Sequence, residues 1–204
     1  MLIKKPMKKK IIITGGLGYI GTELCKLYSG VSWHHEIIVI DNRFISERVN
    51  QIRNWNMEFV QGDILDMDLI ESYFKDVDVV HHLAGITDVP RTKSEALKSQ
   101  DEKIKEVGEK GTQNILKVIS DKCKIIFPST HVVYEGIDEV RTDIKENEPT
   151  KPVLSYSSSK ATNENQLKKS GKNYVILRLG SVYGYSSDSM RTDIMPNLFS
   201  KITS

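Results

Sequence analysis

Three glycines spaced by threes, Gly15, Gly18 and Gly21, follow directly on the β-branched run Ile11-Ile12-Ile13-Thr14 and lead into a helical pattern at Thr22, Glu23 and Leu24. A strand that must reverse into a helix within so few residues needs a residue tolerant of unusual backbone angles at Gly15. Gly18 leaves the backbone bare enough for a diphosphate to approach, and a small Gly21 lets the helix pack closely on the strand. The positive end of that helix then faces the phosphates. The spacing predicts a strand-turn-helix unit that binds a dinucleotide.

The continuation fits the same ligand. A second strand-like run, Glu36-Ile37-Ile38-Val39-Ile40, ends at Asp41. An acidic residue about 20 residues beyond the glycines is what a ribose hydroxyl pair needs as acceptor. Asp41 repels a 2′-phosphate, which favours NAD over NADP, whereas Arg43 close by keeps NADP open. A third run, Met57 to Val60, leads into Gly62-Asp63-Ile64, where the Asp63 carboxylate stands at a strand end to accept from an adenine amino group. A fourth, Val77 to Leu83, ends in the small residues Ala84 and Gly85, against which a nucleotide edge can lie.

Strand-like runs at Ile11–Thr14, Glu36–Ile40, Met57–Val60, Val77–Leu83, Lys124–Phe127 and Tyr174–Leu179 alternate with helical patterns at Gly18–Tyr28, Asp66–Phe74, Ser94–Ser120 and Ser155–Lys169. Such alternation implies an α/β fold, a doubly wound parallel sheet of the Rossmann type with right-handed crossovers. Ligands bind at the carboxyl ends of the strands in these sheets, where every motif above sits. Charged Glu135 to Lys151, next to Pro149 and Pro152, reads as a surface loop.

Composition narrows the partners. With 29 basic against 27 acidic residues the formal charge is +2, so no bulk field draws the chain to nucleic acid or membrane. No apolar run approaches the roughly 18 residues of a membrane-spanning helix. Lys4, Lys5, Lys8, Lys9 and Lys10 read as a solvated leader, because Ile11 to Ile13 is too short for the core of a signal peptide. Cys25 and Cys123 read as core thiols rather than a disulfide or zinc framework, and a reducing, cytoplasmic location is expected. No metal is expected at His34-His35 or His81-His82, since adjacent strand residues point to opposite faces.

Tyr156 and Lys160 stand four residues apart in a helical segment, which puts phenol and ammonium on one face. A phenol with pKa about 10 needs a drop of roughly three units, or about 4 kcal/mol, to act as a base near neutrality. One positive charge at ~4 Å supplies on the order of 4 kcal/mol at an effective dielectric of about 20. The apolar strand Ile125-Ile126-Phe127 ends in hydroxyls at Ser129 and Thr130. Thr130 is expected to hydrogen-bond the reacting oxygen while Tyr156 takes its proton.

With these motifs in this order, the chain resembles the extended short-chain dehydrogenase/reductase family, in its NAD-dependent epimerase/dehydratase branch of UDP-glucose 4-epimerase-like enzymes. The resemblance runs from about Lys9 to the end. It rests on Thr14 to Gly21, Asp41-Asn42, Gly62-Asp63-Ile64, His82 to Gly85, Gly111-Thr112-Gln113-Asn114, Ser129-Thr130 with Val133-Tyr134, Tyr156 to Lys160, and Arg178 with Val182-Tyr183-Gly184. It implies tightly held NAD, bound by Gly15, Gly18, Tyr19, Ile20, Gly21, Asp41, Asn42, Asp63, Ile64, Leu83, Ala84, Gly85, Ser129, Tyr156 and Lys160. It implies Thr130, Tyr156 and Lys160 as the catalytic set and a nucleotide sugar as substrate, and it is compatible with a homodimer. In an epimerase Tyr156 removes a sugar hydroxyl proton as hydride passes to the nicotinamide, and the rotated keto-sugar takes the hydride back on its other face.

The chain departs from the family pattern in four places. Gly108 and Ser181 stand where the family often has asparagine. His131-Val132 follows Thr130, where family dehydratases look to carry Asp-Glu, which argues against a 4,6-dehydratase. Family members also run on through a smaller substrate domain. The expected organisation is a basic leader at 1–8, an NAD-binding Rossmann domain at 9–180 and, at 181–204, the start of an incomplete substrate-binding lobe. Ile194, Met195, Leu198, Phe199 and Ile202 are spaced to line one helical face of that lobe. The competing expectations are an NAD(P)H-dependent sugar ketoreductase and a non-catalytic NAD-binding fragment.

Overall fold

The computed structural model describes residues 8–87, 98–186, 189–192 and 194–203. Residues 1–7 of the expected leader and the start of the helical pattern placed at Ser94 lie outside the described residues. Six strands, β1 (Lys10–Thr14), β2 (Glu36–Asp41), β3 (Glu58–Gln61), β4 (Val79–His82), β5 (Lys124–Thr130) and β6 (Asn173–Leu179), form one sheet. Every pairing is parallel and the order is β3-β2-β1-β4-β5-β6. The crossovers carry α1 (Tyr19–Ser29), α2 (Ser46–Asn54), α3 (Met67–Phe74), α4 (Lys98–Lys105), α5 (Gly111–Val118) and α6 (Ser155–Lys169), and α7 (Met195–Thr203) closes the chain. The doubly wound fold is the one the alternation predicts.

Side chains that alternate along a strand explain the two cores. Ile12, Ile38 and Ile40 face one way and pack with Ile70 and Phe74 of α3, Ile115 of α5 and Leu167 of α6. Ile11, Ile13, Ile37 and Val39 face the other way, against Cys25 of α1 and Val49 and Ile52 of α2. A run of isoleucines with no polar alternation is what burial on both faces requires. Cys25 and Cys123 are buried and form no disulfide. The periodicity missed α2, whose only buried side chains are Val49 and Ile52 in a mostly polar sequence.

Reversal points are settled by backbone chemistry. Asp66 caps α3 by accepting from the amides of Asp68 at 3.0 Å and Leu69 at 3.3 Å. Glu135 does the same work for α6, its Oε1 accepting from the amides of Val153 and Leu154, both at 2.7 Å, and from the Ser157 hydroxyl. The charged loop after β5 therefore anchors the helix that carries Tyr156. A π turn, Glu106–Lys110, joins α4 to α5. A Cβ on Gly108 would stand 2.5 Å from the Ser159 hydroxyl of α6, so an asparagine there would require the Ser159 side chain to turn away.

Candidate active site

The carboxyl ends of β1 through β6 open into a cleft of about 930 Å³. At its centre, Gly15 has φ +69° and a Cβ there would sit 2.7 Å from the Ala84 amide nitrogen, so the turn after β1 accepts glycine alone. A Cβ on Gly21 would collide with the Gly15 carbonyl and lie 2.7 Å from Gly16 Cα. Gly18 is less confined, though a Cβ there would still stand a tight 3.2 Å from the Gly15 oxygen. Its lack of a side chain leaves the cleft wall bare where α1 begins with no acidic residue in its first turn. That geometry suits an anion at the helix N-terminus.

All the sequence-predicted residues line this cleft. Asp41 is 5 % exposed; its Oδ2 accepts from the Leu17 amide at 3.0 Å, and its Oδ1 from the Arg43 amide at 3.0 Å and Arg43 Nε at 3.2 Å. A carboxylate offers about four lone-pair directions, so capacity for one more donor remains. Arg43 is thus paired with Asp41. Asn42 donates to Asp63 Oδ2 at 3.1 Å, while Asp63 Oδ1 accepts from the Leu65 amide at 2.9 Å. Ile64 is buried against the place where a Cβ of Gly111 would be, and Ile20 is partly exposed at the cleft wall. Leu83, Ala84 and Gly85 continue β4 into the cleft, and among the described residues nothing lies within 4 Å of where a Cβ on Gly85 would be.

Two side chains do something other than the sequence suggests. The Tyr19 hydroxyl donates to the Gly184 carbonyl at 2.6 Å, tying the glycine-rich turn to the segment after β6. The Ser129 hydroxyl donates to Glu164 Oε1 at 2.6 Å and so turns away into the protein, whereas Thr130, whose Oγ1 accepts from the Val132 amide at 3.3 Å, stays on the cleft with Tyr156. Adjacent strand residues point opposite ways, so only one of the two hydroxyls can serve the cleft.

Glu164, 1 % exposed, holds Arg178 through Oε1 to Nε at 2.9 Å and Oε2 to Nη2 at 2.6 Å. Arg178 also donates to the Tyr134 hydroxyl and to the Glu146 carbonyl at 2.9 Å. Burial pushes the Glu164 carboxyl up, but its hydrogen bonds to Arg178 and Ser129 and the guanidinium charge outweigh that and hold it low. This buried pair underlies the end of β5 that carries Thr130.

Lys160 donates from Nζ to the Pro128 carbonyl at 2.8 Å and lies 4.5 Å from the Phe127 ring centroid and 5.8 Å from that of Tyr156. Burial pushes its ammonium down to about 8. Contrary to the simple charge argument from sequence, the Tyr156 phenol is raised: burial dominates, opposed by the charge of Arg191 and the hydrogen bond with Thr130. Placing the ammonium on one helical face with the phenol is not enough, because here it is turned to a backbone carbonyl.

A buried polar chain that the sequence reading missed runs beneath the cleft. His82, 1 % exposed, lies 3.0 Å from Thr14 Oγ1 at Nδ1 and 3.0 Å from Thr112 Oγ1 at Nε2. Thr112 must donate to the Gly108 carbonyl at 2.7 Å, so it accepts from His82 Nε2–H. Nδ1 then accepts from Thr14, whose oxygen receives the Ala84 amide at 3.1 Å. The imidazole is neutral, pushed down to about 3 by burial and by the Lys160 charge. One tautomer therefore ties the ends of β1 and β4 to the π turn. His81 faces the other way, with Nε2 2.8 Å from the Tyr28 hydroxyl, and among the described residues no group of three or more His, Cys, Asp or Glu is placed to hold a metal.

Beyond β6, Asn197 of α7 is 3 % exposed where the sequence reading singled out apolar neighbours instead. Ile194 and Leu198 are half-buried, while Met195, Phe199 and Ile202 are exposed, so the expected single apolar face is split. Among the described residues no helix is long and apolar enough to cross a membrane.

Comparison with known proteins matches residues 11–204 to the NAD dependent epimerase/dehydratase family. A dTDP-D-glucose 4,6-dehydratase of Dictyostelium discoideum is 29% identical over 197 residues, covering 86% of this chain and 44% of its own. A UDP-glucose 4-epimerase of Streptococcus mutans is 30% identical over 187 residues, 87% of this chain and 53% of its own. The chain thus spans about half the length of these relatives. Among solved structures, a UDP-glucuronic acid 4-epimerase of Bacillus cereus, in complex with a UDP-sugar and NAD, superposes with TM-score 0.76 at 27% identity over 92% of this chain and 60% of its own.

Proposed function

The chain belongs to the NAD-dependent epimerase/dehydratase family, and from that premise we propose that it binds NAD and inverts a hydroxyl-bearing carbon of a nucleotide sugar. The observation that carries the reading is the convergence of Thr130, Tyr156 and Lys160 on the cleft whose other end holds Gly15, Gly18, Asp41 and Asp63. Those residues fit the cofactor: a bare glycine wall meets a helix N-terminus, a carboxylate with a spare acceptor direction lies at the β2 end, and Gly85 leaves the β4 end without a side chain. NAD, when bound, supplies the acceptor and donor of hydride.

The chain's own residues then divide the work. Thr130 orients the sugar hydroxyl, and Tyr156, on the same cleft, takes its proton and later returns one. Lys160 holds positive charge beside the Tyr156 ring at neutral pH, below its titration near 8. His131-Val132 after Thr130 favours epimerisation over dehydration, because no carboxylate directly follows the threonine. The buried, unbridged Cys25 and Cys123 accord with a reducing, cytoplasmic setting. The decisive experiment incubates the chain with UDP-hexoses and NAD and follows the inverted sugar by NMR. Appearance of the epimer with no net change at 340 nm supports the reading; net oxidation or reduction of the cofactor overturns it in favour of a dehydrogenase.

Cofactor choice follows from Asp41. A 2′-phosphate would meet a buried carboxylate whose neighbouring cation, Arg43, is already paired with it. NAD is expected to bind at least about tenfold more tightly than NADP, a difference of about 1.4 kcal/mol. Fluorescence titration with both nucleotides checks this, and equal or tighter NADP binding would mean that Arg43 leaves Asp41 for the phosphate.

A further inference from the structure

The segment from the end of β2 into α2 sets two arginines beside the glycine-rich turn. Arg43 is anchored on Asp41 Oδ1 twice, through its amide at 3.0 Å and its Nε at 3.2 Å. The outer end of its guanidinium reaches toward the start of α1, so that a Cβ built on Gly18 would stand 4.0 Å from Arg43 Nη2. Asn42, between Asp41 and Arg43, turns instead to Asp63 Oδ2 at 3.1 Å. Arg48 of α2 donates from Nη1 to the Leu17 carbonyl, and the Leu17 amide donates to Asp41 Oδ2 at 3.0 Å. The residue before Gly18 is thereby pinned through both its amide and its carbonyl. Direct bonds from β2 and α2 thus fix the gap between Gly18 and Arg43.

An arginine that served only to neutralise Asp41 would gain nothing by presenting its outer nitrogen to the bare backbone at Gly18. We propose that Arg43 is a cofactor-anchoring residue, held by Nε on the carboxylate that takes the adenosine ribose and donating from Nη2 to the diphosphate that lies against Gly18. This rests on the reading that the cleft binds NAD. The separation suits the role: an oxygen beside Gly18 comes within reach of Nη2 while Nε stays on Asp41, since a charge-assisted N–H···O bond spans about 2.8 Å. Only a forked, planar cation can serve two oxygens in this way, because its nitrogens donate in fixed and different directions. The start of α1 offers no competitor for the guanidinium, as its first turn holds no acidic residue and Gly18 brings no capping side chain. A 2′-phosphate makes the opposite demand, for Arg43 would have to give up Asp41 to reach it. The guanidinium side chain is 55% exposed, so its contribution is screened by salt.

Three small nucleotides separate the parts of the cofactor, and their binding to the full chain can be followed by NMR shift titration. Adenosine carries the ribose hydroxyls without phosphate, ADP adds the 5′-diphosphate, and 2′-AMP carries its phosphate where NADP does. Arg43→Leu should weaken ADP about tenfold and NAD by a similar factor, while adenosine and 2′-AMP each change by less than about threefold. Arg43→Lys, which keeps a cation without the fork, should bind ADP at a strength between the parent and Arg43→Leu. An equal loss for adenosine and ADP overturns the proposal, since Arg43 would then act through Asp41 and the ribose alone. A loss for 2′-AMP as large as that for ADP overturns it as well. If Arg43→Leu does not fold, Arg43→Gln is read against the same three nucleotides with the same outcomes. A parent chain that binds neither ADP nor NAD would overturn the cofactor reading together with this proposal. ADP bound equally well by the parent and by Arg43→Leu would overturn this proposal alone.

Discussion

Tyr156→Phe is expected to lower epimerisation by about 10²–10⁴-fold, the span that a lost general base or acid removes, while NAD affinity stays within about twofold. The substitution deletes one oxygen, and the ring remains to fill the same half-buried place on α6. The Thr130 hydroxyl is untouched, so substrate binding should also survive and the loss should fall on kcat rather than KM. Lys160→Met makes the contrasting case, because it removes both the cation beside the Tyr156 ring and a donor to the Pro128 carbonyl. It should weaken NAD binding as well as turnover. Steady-state rates with a UDP-sugar, beside NAD titrations of each variant, separate the two patterns. Turnover near the parent rate in Tyr156→Phe would remove Tyr156 from the mechanism.

The second large effect concerns stability. Glu164→Ala leaves Arg178, whose side chain is 11% exposed, without the carboxylate that holds it in two directions. Breaking a buried ion pair from one side costs about 3–5 kcal/mol, which for a chain of this size lowers Tm by on the order of 10 °C. The damage should reach the active site, since Ser129 loses its acceptor at 2.6 Å directly before Thr130. The pair also has a signature in acid. Because the Glu164 carboxyl is held low in the folded protein, its contribution is complete above the unfolded value near 4.3 and is lost as pH falls through the lower folded value. Glu164→Gln should therefore lose less stability than the parent chain on acidification below about pH 4. Urea denaturation at pH 7 and pH 3.5 measures both effects. A Glu164→Ala cost under about 1 kcal/mol would show that water, with the Tyr134 hydroxyl and the Glu146 carbonyl that Arg178 already reaches, satisfies the guanidinium instead.

Local spacing by itself determined the scaffold of this protein and the identity of its central chemical groups. β-branched runs buried on both faces define parallel strands, the glycines at 15 and 21 permit only one turn between β1 and α1, and a four-residue step puts Tyr156 and Lys160 on one side of α6. Each of these follows from a period of a strand or a helix, which the order of residues carries directly. Which partner each group meets was decided by the tertiary structure. Period-two alternation separates Ser129 from Thr130, yet only the packing of α6 says that Ser129 turns to Glu164 while Thr130 stays on the cleft with Tyr156. The tautomer of His82 is set by Thr14 and Thr112, and Arg191 is held by Thr87 and Asn197, pairs that lie far apart along the chain. Polar residues such as Asn197 carry no hydrophobic period, and the direction of a hydrogen bond depends on two backbones brought together by the strand order β3-β2-β1-β4-β5-β6. Periodicity fixes which face a side chain takes; only the assembled sheet fixes what waits there to receive its proton or its charge.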